Sequence, residues 1–201
     1  MGLINLREIY FEGCVNLKKI PNLSRAINLE ILDFSGLHSL VELWNEDDHM
    51  GLVNLREIYF EGCVNLRKIP NLSRAINLEI LDFTDCESLV ELWNENDHMG
   101  LINLRRINFE GCVNLRKIPN LSRAINLEIL NFTDCESLVE LWNEDDHMGL
   151  VNLRQIYFGG CVNLKKIPNL SKAIKLEILA CTNCKSLVEL WNEDDHMELS
   201  T

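Results

Sequence analysis

Thiols, acid–histidine runs and glycosylation sequons are the groups in this chain that could do chemistry. Seven of the eight cysteines are Cys14, Cys63, Cys86, Cys112, Cys135, Cys161 and Cys184; after the first 49-residue step they return at alternating steps of 23 and 26 residues. A thiol recurring so regularly suits a small, weakly hydrogen-bonding core position at a strand-to-loop bend, where it helps hold backbone groups of the next repeat. Leu37 takes the place in the first unit, so the thiol is not obligatory. Stacked neighbours would lie within disulfide reach. Parallel side-chain directions and an expected intracellular setting nevertheless predict reduced thiols. Cys181-Thr182-Asn183-Cys184 spells C-x-x-C, but no second pair completes a metal site, and Cys181 stands where Phe34, Phe83 and Phe132 stand elsewhere. It reads as a core substitution rather than a redox or zinc motif.

Four acidic runs end in histidine: Glu46-Asp47-Asp48-His49, Glu95-Asn96-Asp97-His98, Glu144-Asp145-Asp146-His147 and Glu193-Asp194-Asp195-His196. Carboxylates and imidazoles attract divalent cations, yet this spacing matches no calcium-loop pattern and Asn96 breaks the second copy. They read as solvated loops, with no metal and no cofactor expected. Asn-x-Ser/Thr sequons at Asn22, Asn71, Asn120, Asn169 and Asn131 matter only after secretion. The fifth histidine, His38, stands beside Leu37, and no Ser/His/Asp or Cys/His arrangement is visible. The chain is not expected to be an enzyme.

These groups recur because the chain does. Residues 2–50 return almost unchanged at 51–99, 100–148 and 149–197, all within one expected domain, 1–201. Each unit holds two halves, Leu6-x-x-Ile9-x-Phe11-x-x-Cys14-x-x-Leu17 and Leu29-x-x-Leu32-x-Phe34-x-x-Leu37-x-x-Leu40. This is the leucine-rich-repeat signature, met eight times in register. It predicts an α/β, right-handed horseshoe solenoid of eight short parallel strands, with an irregular or short-helical convex side. One such strand cannot bury its apolar side alone, so neighbours must stack; at ~4.8 Å spacing eight strands give a face roughly 35–40 Å long. Ile20-Pro21-Asn22-Leu23-Ser24 is expected to turn the chain, with Ser24 as a helix cap. Leu43-Trp44 and the acidic run are placed on the outer side.

Composition narrows the partners. With 47% apolar and 25% charged residues this is an ordinary globular chain, and its net charge is −12. Such a surface repels phosphate backbones and anionic membranes and favours a basic partner. No apolar run approaches the ~20 residues needed to span a bilayer. The N-terminus has neither the basic start nor the apolar core of a secretory signal, so a cytoplasmic location is expected.

Ile69-Pro70-Asn71-Leu72-Ser73-Arg74-Ala75-Ile76-Asn77-Leu78-Glu79-Ile80-Leu81-Asp82-Phe83, followed by Thr84 to Leu92, resembles the leucine-rich-repeat region of plant TIR-type nucleotide-binding (TIR-NB-LRR) disease-resistance receptors. The resemblance covers essentially the whole chain. It implies a segment of an intracellular immune receptor that senses pathogen effectors or holds the receptor inactive.

The side chains expected on the concave face fall into six columns. In the first halves these are Glu8/Glu57/Arg106/Gln155, Tyr10/Tyr59/Asn108/Tyr157 and Glu12/Glu61/Glu110/Gly159; in the second halves, Ile31/Ile80/Ile129/Ile178, Asp33/Asp82/Asn131/Ala180 and Ser35/Thr84/Thr133/Thr182. Five of these six columns vary between units, against nine of the other 43. Exposed positions drift freely, yet the exposed acidic runs barely change, so the contrast points to a binding face. The expected contact residues are Glu8, Tyr10, Glu12, Ile31, Asp33, Glu57, Tyr59, Glu61, Ile80, Asp82, Arg106, Asn108 and Tyr157. Tyrosines flanked by carboxylates suit a protein ligand offering Arg or Lys with apolar surface. The other reading is an engineered or degenerate repeat scaffold without a natural ligand. An alternating series, Arg7, Glu30, Arg56, Glu79, Arg105, Glu128, Arg154 and Glu177, precedes the strands and reads as structural, at ~0.2–1 kcal/mol per pair.

The sequence opens on Leu3, Leu6, Ile9 and Phe11 and closes on Leu187, Leu190, Trp191 and Met197, in the same words as its interior repeats. End faces of this kind are expected to stack head to tail. Sedimentation of the 201-residue chain should therefore show concentration-dependent association; a strict monomer at high concentration would defeat the expectation.

Overall fold

Strands form where an apolar residue sits between two that tolerate solvent. The computed structural model describes residues 3–20, 23, 25–43, 52–69, 72, 75–92, 101–118, 121, 123–141, 150–167 and 169–190. Within them lie eight three-residue strands: β1 (Glu8–Tyr10), β2 (Ile31–Asp33), β3 (Glu57–Tyr59), β4 (Ile80–Asp82), β5 (Arg106–Asn108), β6 (Ile129–Asn131), β7 (Gln155–Tyr157) and β8 (Ile178–Ala180). They form one parallel sheet in chain order, β1 to β8. The middle residue of each strand turns inward, and from β2 to β7 it is fully buried: Leu32, Ile58, Leu81, Ile107, Leu130 and Ile156. The parallel-strand, leucine-rich-repeat-like coil expected from the signature is the fold observed.

The described return paths take the irregular of the two forms expected, and the α/β class is not confirmed. Among the described residues there is no α-helix, and the helical elements are two 3-10 turns, Leu52–Asn54 and Leu101–Asn103, just before β3 and β5. Pro21, Ser24, Trp44 and the four acid–histidine runs, and with them the expected cap and outer acidic loops, lie outside the described residues.

Four ladders run along the coil. Phenylalanine rings at Phe11, Phe34, Phe60, Phe83, Phe109, Phe132 and Phe158 stack on one another with centroids 5.0–5.6 Å apart. Such pairs add about 0.5–1.5 kcal/mol each beyond the area they bury. Leucines of the signature fill the space beneath them. The cysteines form the third ladder. Cys63 Sγ donates to the Phe34 carbonyl at 3.2 Å, Cys112 to Phe83 at 3.1 Å and Cys161 to Phe132 at 3.0 Å. The thiols thus hold the preceding repeat rather than the next, which corrects the sequence expectation. Cys14, in the first repeat, is exposed, and Cys181 and Cys184 are half-buried.

Asparagine carboxamides make the fourth ladder. Asn54 donates to the Ile27 carbonyl at 2.9 Å, Asn77 to Val53 at 2.8 Å and Asn103 to Ile76 at 2.9 Å. A parallel row joins Asn65 to His38, Asn114 to Glu87 and Asn163 to Glu136, at 2.7–2.9 Å. Each bond satisfies a loop carbonyl that no strand could reach, at about 1 kcal/mol apiece.

Each repeat then needs one residue in the left-handed region to leave its strand. Gly13, Gly36, Gly62, Gly111 and Gly160 take it at φ 70–75°, and Asp85, Asp134 and Asn183 at φ 56–60°. Asp and Asn tolerate this region better than other side-chain-bearing residues. The aspartates use space that the next glycine leaves vacant: a Cβ on Gly111 would meet the Asp85 carboxylate and lie 3.2 Å from its Cα, whereas one on Gly13 meets nothing within 4 Å. Both Gly→Ala changes carry a left-handed penalty of about 1–2 kcal/mol. Gly111→Ala should therefore lower stability clearly more than Gly13→Ala in denaturant unfolding, and equal losses would refute the Asp85 packing.

Burial pushes the Cys63 and Cys112 thiols up to about 12 from an ordinary value of 9.0. A raised thiol favours the folded state while protonated; that contribution is present below pH ~9 and is lost as pH rises toward 12. Native thiol labelling followed by mass spectrometry should accordingly be fast at Cys14 and slow at Cys63, Cys86, Cys112 and Cys135. Rapid labelling of those four would overturn the buried ladder.

Candidate protein-binding face

The register that aligns the core also aligns what faces outward. Glu8 pairs with Ile31, Ile31 with Glu57, Glu57 with Ile80 and Ile80 with Arg106; two residues on, Tyr10, Asp33, Tyr59, Asp82 and Asn108 form a second row. Glu12 and Glu61 lie exposed just past the ends of β1 and β3. The register thus lines these residues up in rows across the sheet.

Its tyrosines are fixed along their own strands. The Tyr10 hydroxyl donates to Glu8 Oε2 at 3.0 Å, that of Tyr59 to Glu57 Oε2 at 2.7 Å and that of Tyr157 to Gln155 Oε1 at 2.9 Å. The bond to Glu8 leads in raising the Tyr10 phenol above its ordinary value. Burial, followed by the bond to Glu57, pushes the Tyr59 phenol up strongly. Both rings remain neutral donors at physiological pH, and any stability they lend is present below pH ~10 and lost above it.

The expected contact residues do not all reach solvent. Glu8, Tyr10, Glu12, Glu61 and Arg106 are exposed, while Ile31, Asp33, Glu57, Tyr59, Ile80 and Tyr157 are half-buried. Asp82 is 8% and Asn108 4% exposed. Asp82 Oδ1 accepts from the Thr84 amide at 2.9 Å and the Thr84 hydroxyl at 2.6 Å. Arg106 approaches its Oδ2 at 3.7 Å, and Asn108 donates to the same oxygen at 3.3 Å. The pair is committed to an internal network at β4–β5. Asn131, the sequon residue on β6, donates to Glu110 at 3.1 Å.

Beside the strands runs a groove of about 1020 Å³ whose walls include Arg7, Glu30, Arg56, Glu79, Arg105 and Glu128. Here the alternating charges pair within units: Arg7 with Glu30 at 2.6 Å, Arg105 with Glu128 and Arg154 with Glu177 at 2.7 Å. The groove is lined by groups already paired, and the pairs are solvent-exposed. Among the described residues no group of three or more His, Cys, Asp or Glu is placed to hold a metal ion, and no helix is long and apolar enough to cross a membrane. Two features escaped the sequence reading, the asparagine rungs and the left-handed column. Their signals were present in Asn54, Asn103 and Asn152, recurring every 49 residues, and in Gly36, Asp85, Asp134 and Asn183, which share one column.

One short parallel strand, one leucine set and side-chain-bonded loop carbonyls in each turn define a leucine-rich-repeat protein. The description "BspA type Leucine rich repeat region" matches residues 4–139 and 53–188, in six copies, and the chain belongs to this family. Among solved structures, the T. pallidum Leucine Rich Repeat protein TpLRR is similar at 22% identity, covering 73% of this chain and 76% of that one with a TM-score of 0.40. The leucine-rich repeat domain of the type III effector XopL is similar at 18% identity, covering 93% and 76% with a TM-score of 0.36. A leucine-rich repeat protein from Bacteroides ovatus is similar at 17% identity, covering 92% and 64% with a TM-score of 0.27. No curated protein matches the chain.

Proposed function

We propose that this leucine-rich-repeat module binds a protein partner through the strand face of its first two units, and that the partner meets it with a basic patch. The observation that carries this reading is the pair of acid–tyrosine rows at β1 and β3, exposed Glu8-Tyr10-Glu12 and half-buried Glu57-Tyr59 with exposed Glu61, on a chain of net charge −12. Tyrosine offers a large apolar area at small entropic cost, and the carboxylates steer a cationic partner. The same charge disfavours nucleic acid and anionic membrane. A place as the ligand-sensing or autoinhibitory region of a plant intracellular immune receptor, in the cytoplasm, belongs to the proposal and is supported by the wording of residues 69–92 alone. The right-handed winding of the coil is proposed with it, from the general rule for parallel crossovers.

Replacing Tyr10 and Tyr59 together with alanine should weaken binding of such a partner by about tenfold or more, while far-ultraviolet circular dichroism stays unchanged. Affinity should also fall as salt rises. Unchanged affinity in the double variant would move the site off this face.

A further inference from the structure

The edge of the coil just before the strands carries a row of aliphatic side chains that the core does not use. Each of the eight repeats places one isoleucine or valine there, from Ile4 to Ile174, always three residues ahead of the Arg or Glu of the alternating series. Ile27, Val53, Ile76, Ile102, Ile125 and Val151 are 41–50% exposed. The residue type is kept in half-repeats whose neighbouring words differ, Gly51-Leu52-Val53-Asn54-Leu55-Arg56 in one and Arg74-Ala75-Ile76-Asn77-Leu78-Glu79 in the other. Single exposed aliphatics are ordinary, but a continuous row of them marks a contact surface.

The row is also held in place. The carboxamide after a ridge residue donates to the carbonyl of the ridge residue one repeat earlier, as Asn77 does to Val53 at 2.8 Å, Asn103 to Ile76 at 2.9 Å and Asn126 to Ile102 at 2.9 Å. A surface fixed before contact loses little freedom on binding.

The charges beside the ridge say what fits it. Arg and Glu alternate without a break through all eight repeats. They pair within each copy, Arg56 with Glu79 and Arg105 with Glu128 among them, and the arginine side chains are still 50–71% exposed. An alternating series of even length is complementary to itself only when reversed. Laid antiparallel on a second copy in full overlap, Arg7 faces Glu177, Arg56 faces Glu128 and Glu79 faces Arg105. Laid parallel, or antiparallel with a slip of one repeat, every charge faces its like, which is costly. The same antiparallel order sets ridge on ridge, with Ile76 and Ile102 nearest the axis.

We propose that this edge is the contact between two copies of the chain, side by side and antiparallel about a two-fold axis. Such an interface is isologous and closes at two. The axis runs from the strand face toward the return paths and leaves both strand faces open on the same side, so the pairing is independent of what binds them. A strip roughly 35 Å by 15 Å, about 500 Å² per copy, belongs with weak, reversible interfaces.

Sedimentation equilibrium of the full chain, with reductant because Cys14 is exposed, should show a mass that rises from one copy, 23.2 kDa, and levels at two as concentration increases. Ile76→Glu combined with Ile102→Glu should weaken association about tenfold or more, with circular dichroism unchanged because both side chains already reach solvent. Glu79→Arg alone places like charges across the axis and should weaken it as well. Adding Arg105→Glu restores unlike charges between copies while breaking the Arg105 pair within each, and should recover the wild-type affinity. Recovery separates contact between copies from pairing within one. A strict monomer, or association that the isoleucine variant leaves unchanged, would overturn the proposal, and the second result would leave the chain ends as the contact. No recovery in the double charge reversal would overturn the antiparallel order.

Discussion

Everything in this molecule depends on each repeat lying against the one before it. A strand of three residues has one inward side chain and cannot close a core; stacked eight deep, it buries nearly every leucine of the signature. The polar part of the stack has a direction. Cys63 reaches back to the Phe34 carbonyl, Asn54 to that of Ile27 and Asn65 to that of His38. For these thiols and carboxamides the donors lie in the later repeat and the acceptors in the earlier, and none relies on a distant element. Stability in such an array is a sum of nearest-neighbour terms.

That mechanics explains where the chain varies. Each interior phenylalanine ring stacks on a copy of itself at both faces, and the thiols and asparagines bond the repeat before them, so a change in one disturbs an interface. Cys181, in the phenylalanine position of the last second-half repeat, ends the ring ladder at Phe158. Lys175, in an asparagine position, bonds the Asn152 side chain instead of a backbone carbonyl. Outward residues carry no such constraint. The Arg–Glu pairs beside the strands are likewise weak determinants: Arg7 and Glu30 have side chains 71% and 36% exposed, and exposed pairs contribute about 0.2–1 kcal/mol. Their constancy between units follows from duplication as readily as from need.

Much of this was legible in the residues. Leu6, Ile9 and Phe11 at offsets of three and two, repeated in every half, place the strands and their inward column, and alternation then puts Tyr10 and Glu8 outside. What was not legible concerns lateral neighbours. Sequence order allows Glu30 to pair with Arg7 or with Arg56; the structure joins it to Arg7, across the 23-residue step. The direction of the thiol bonds has the same origin, since nothing along the chain says which neighbour owns the nearer carbonyl. Asp82 and Asn108 read as outward residues and are outward in phase. They are nevertheless withdrawn, because Arg106 and Thr84 meet them across the β4–β5 step, a contact 24 to 26 residues apart in sequence.

The duplicated unit is a pair of unlike repeats, and this gives the face its texture. The half-repeats are separated by 23 and then 26 residues, yet the register is the same across both steps: Glu8 meets Ile31 and Ile31 meets Glu57 at equivalent positions. The three extra residues are therefore absorbed in the return path and leave no trace in the sheet. Alternation on the outer face is then one of composition, not geometry. A Glu–Tyr row and an Ile–Asp row are copied together each time the unit is copied, and a single-repeat duplication would have made a uniform surface. Substitution in one unit alters one row and leaves its neighbours standing, as β5 illustrates. Arg106 and Asn108 replace Glu and Tyr there, bond back to Asp82, and turn one acidic, aromatic row into a neutralised one without shifting a strand.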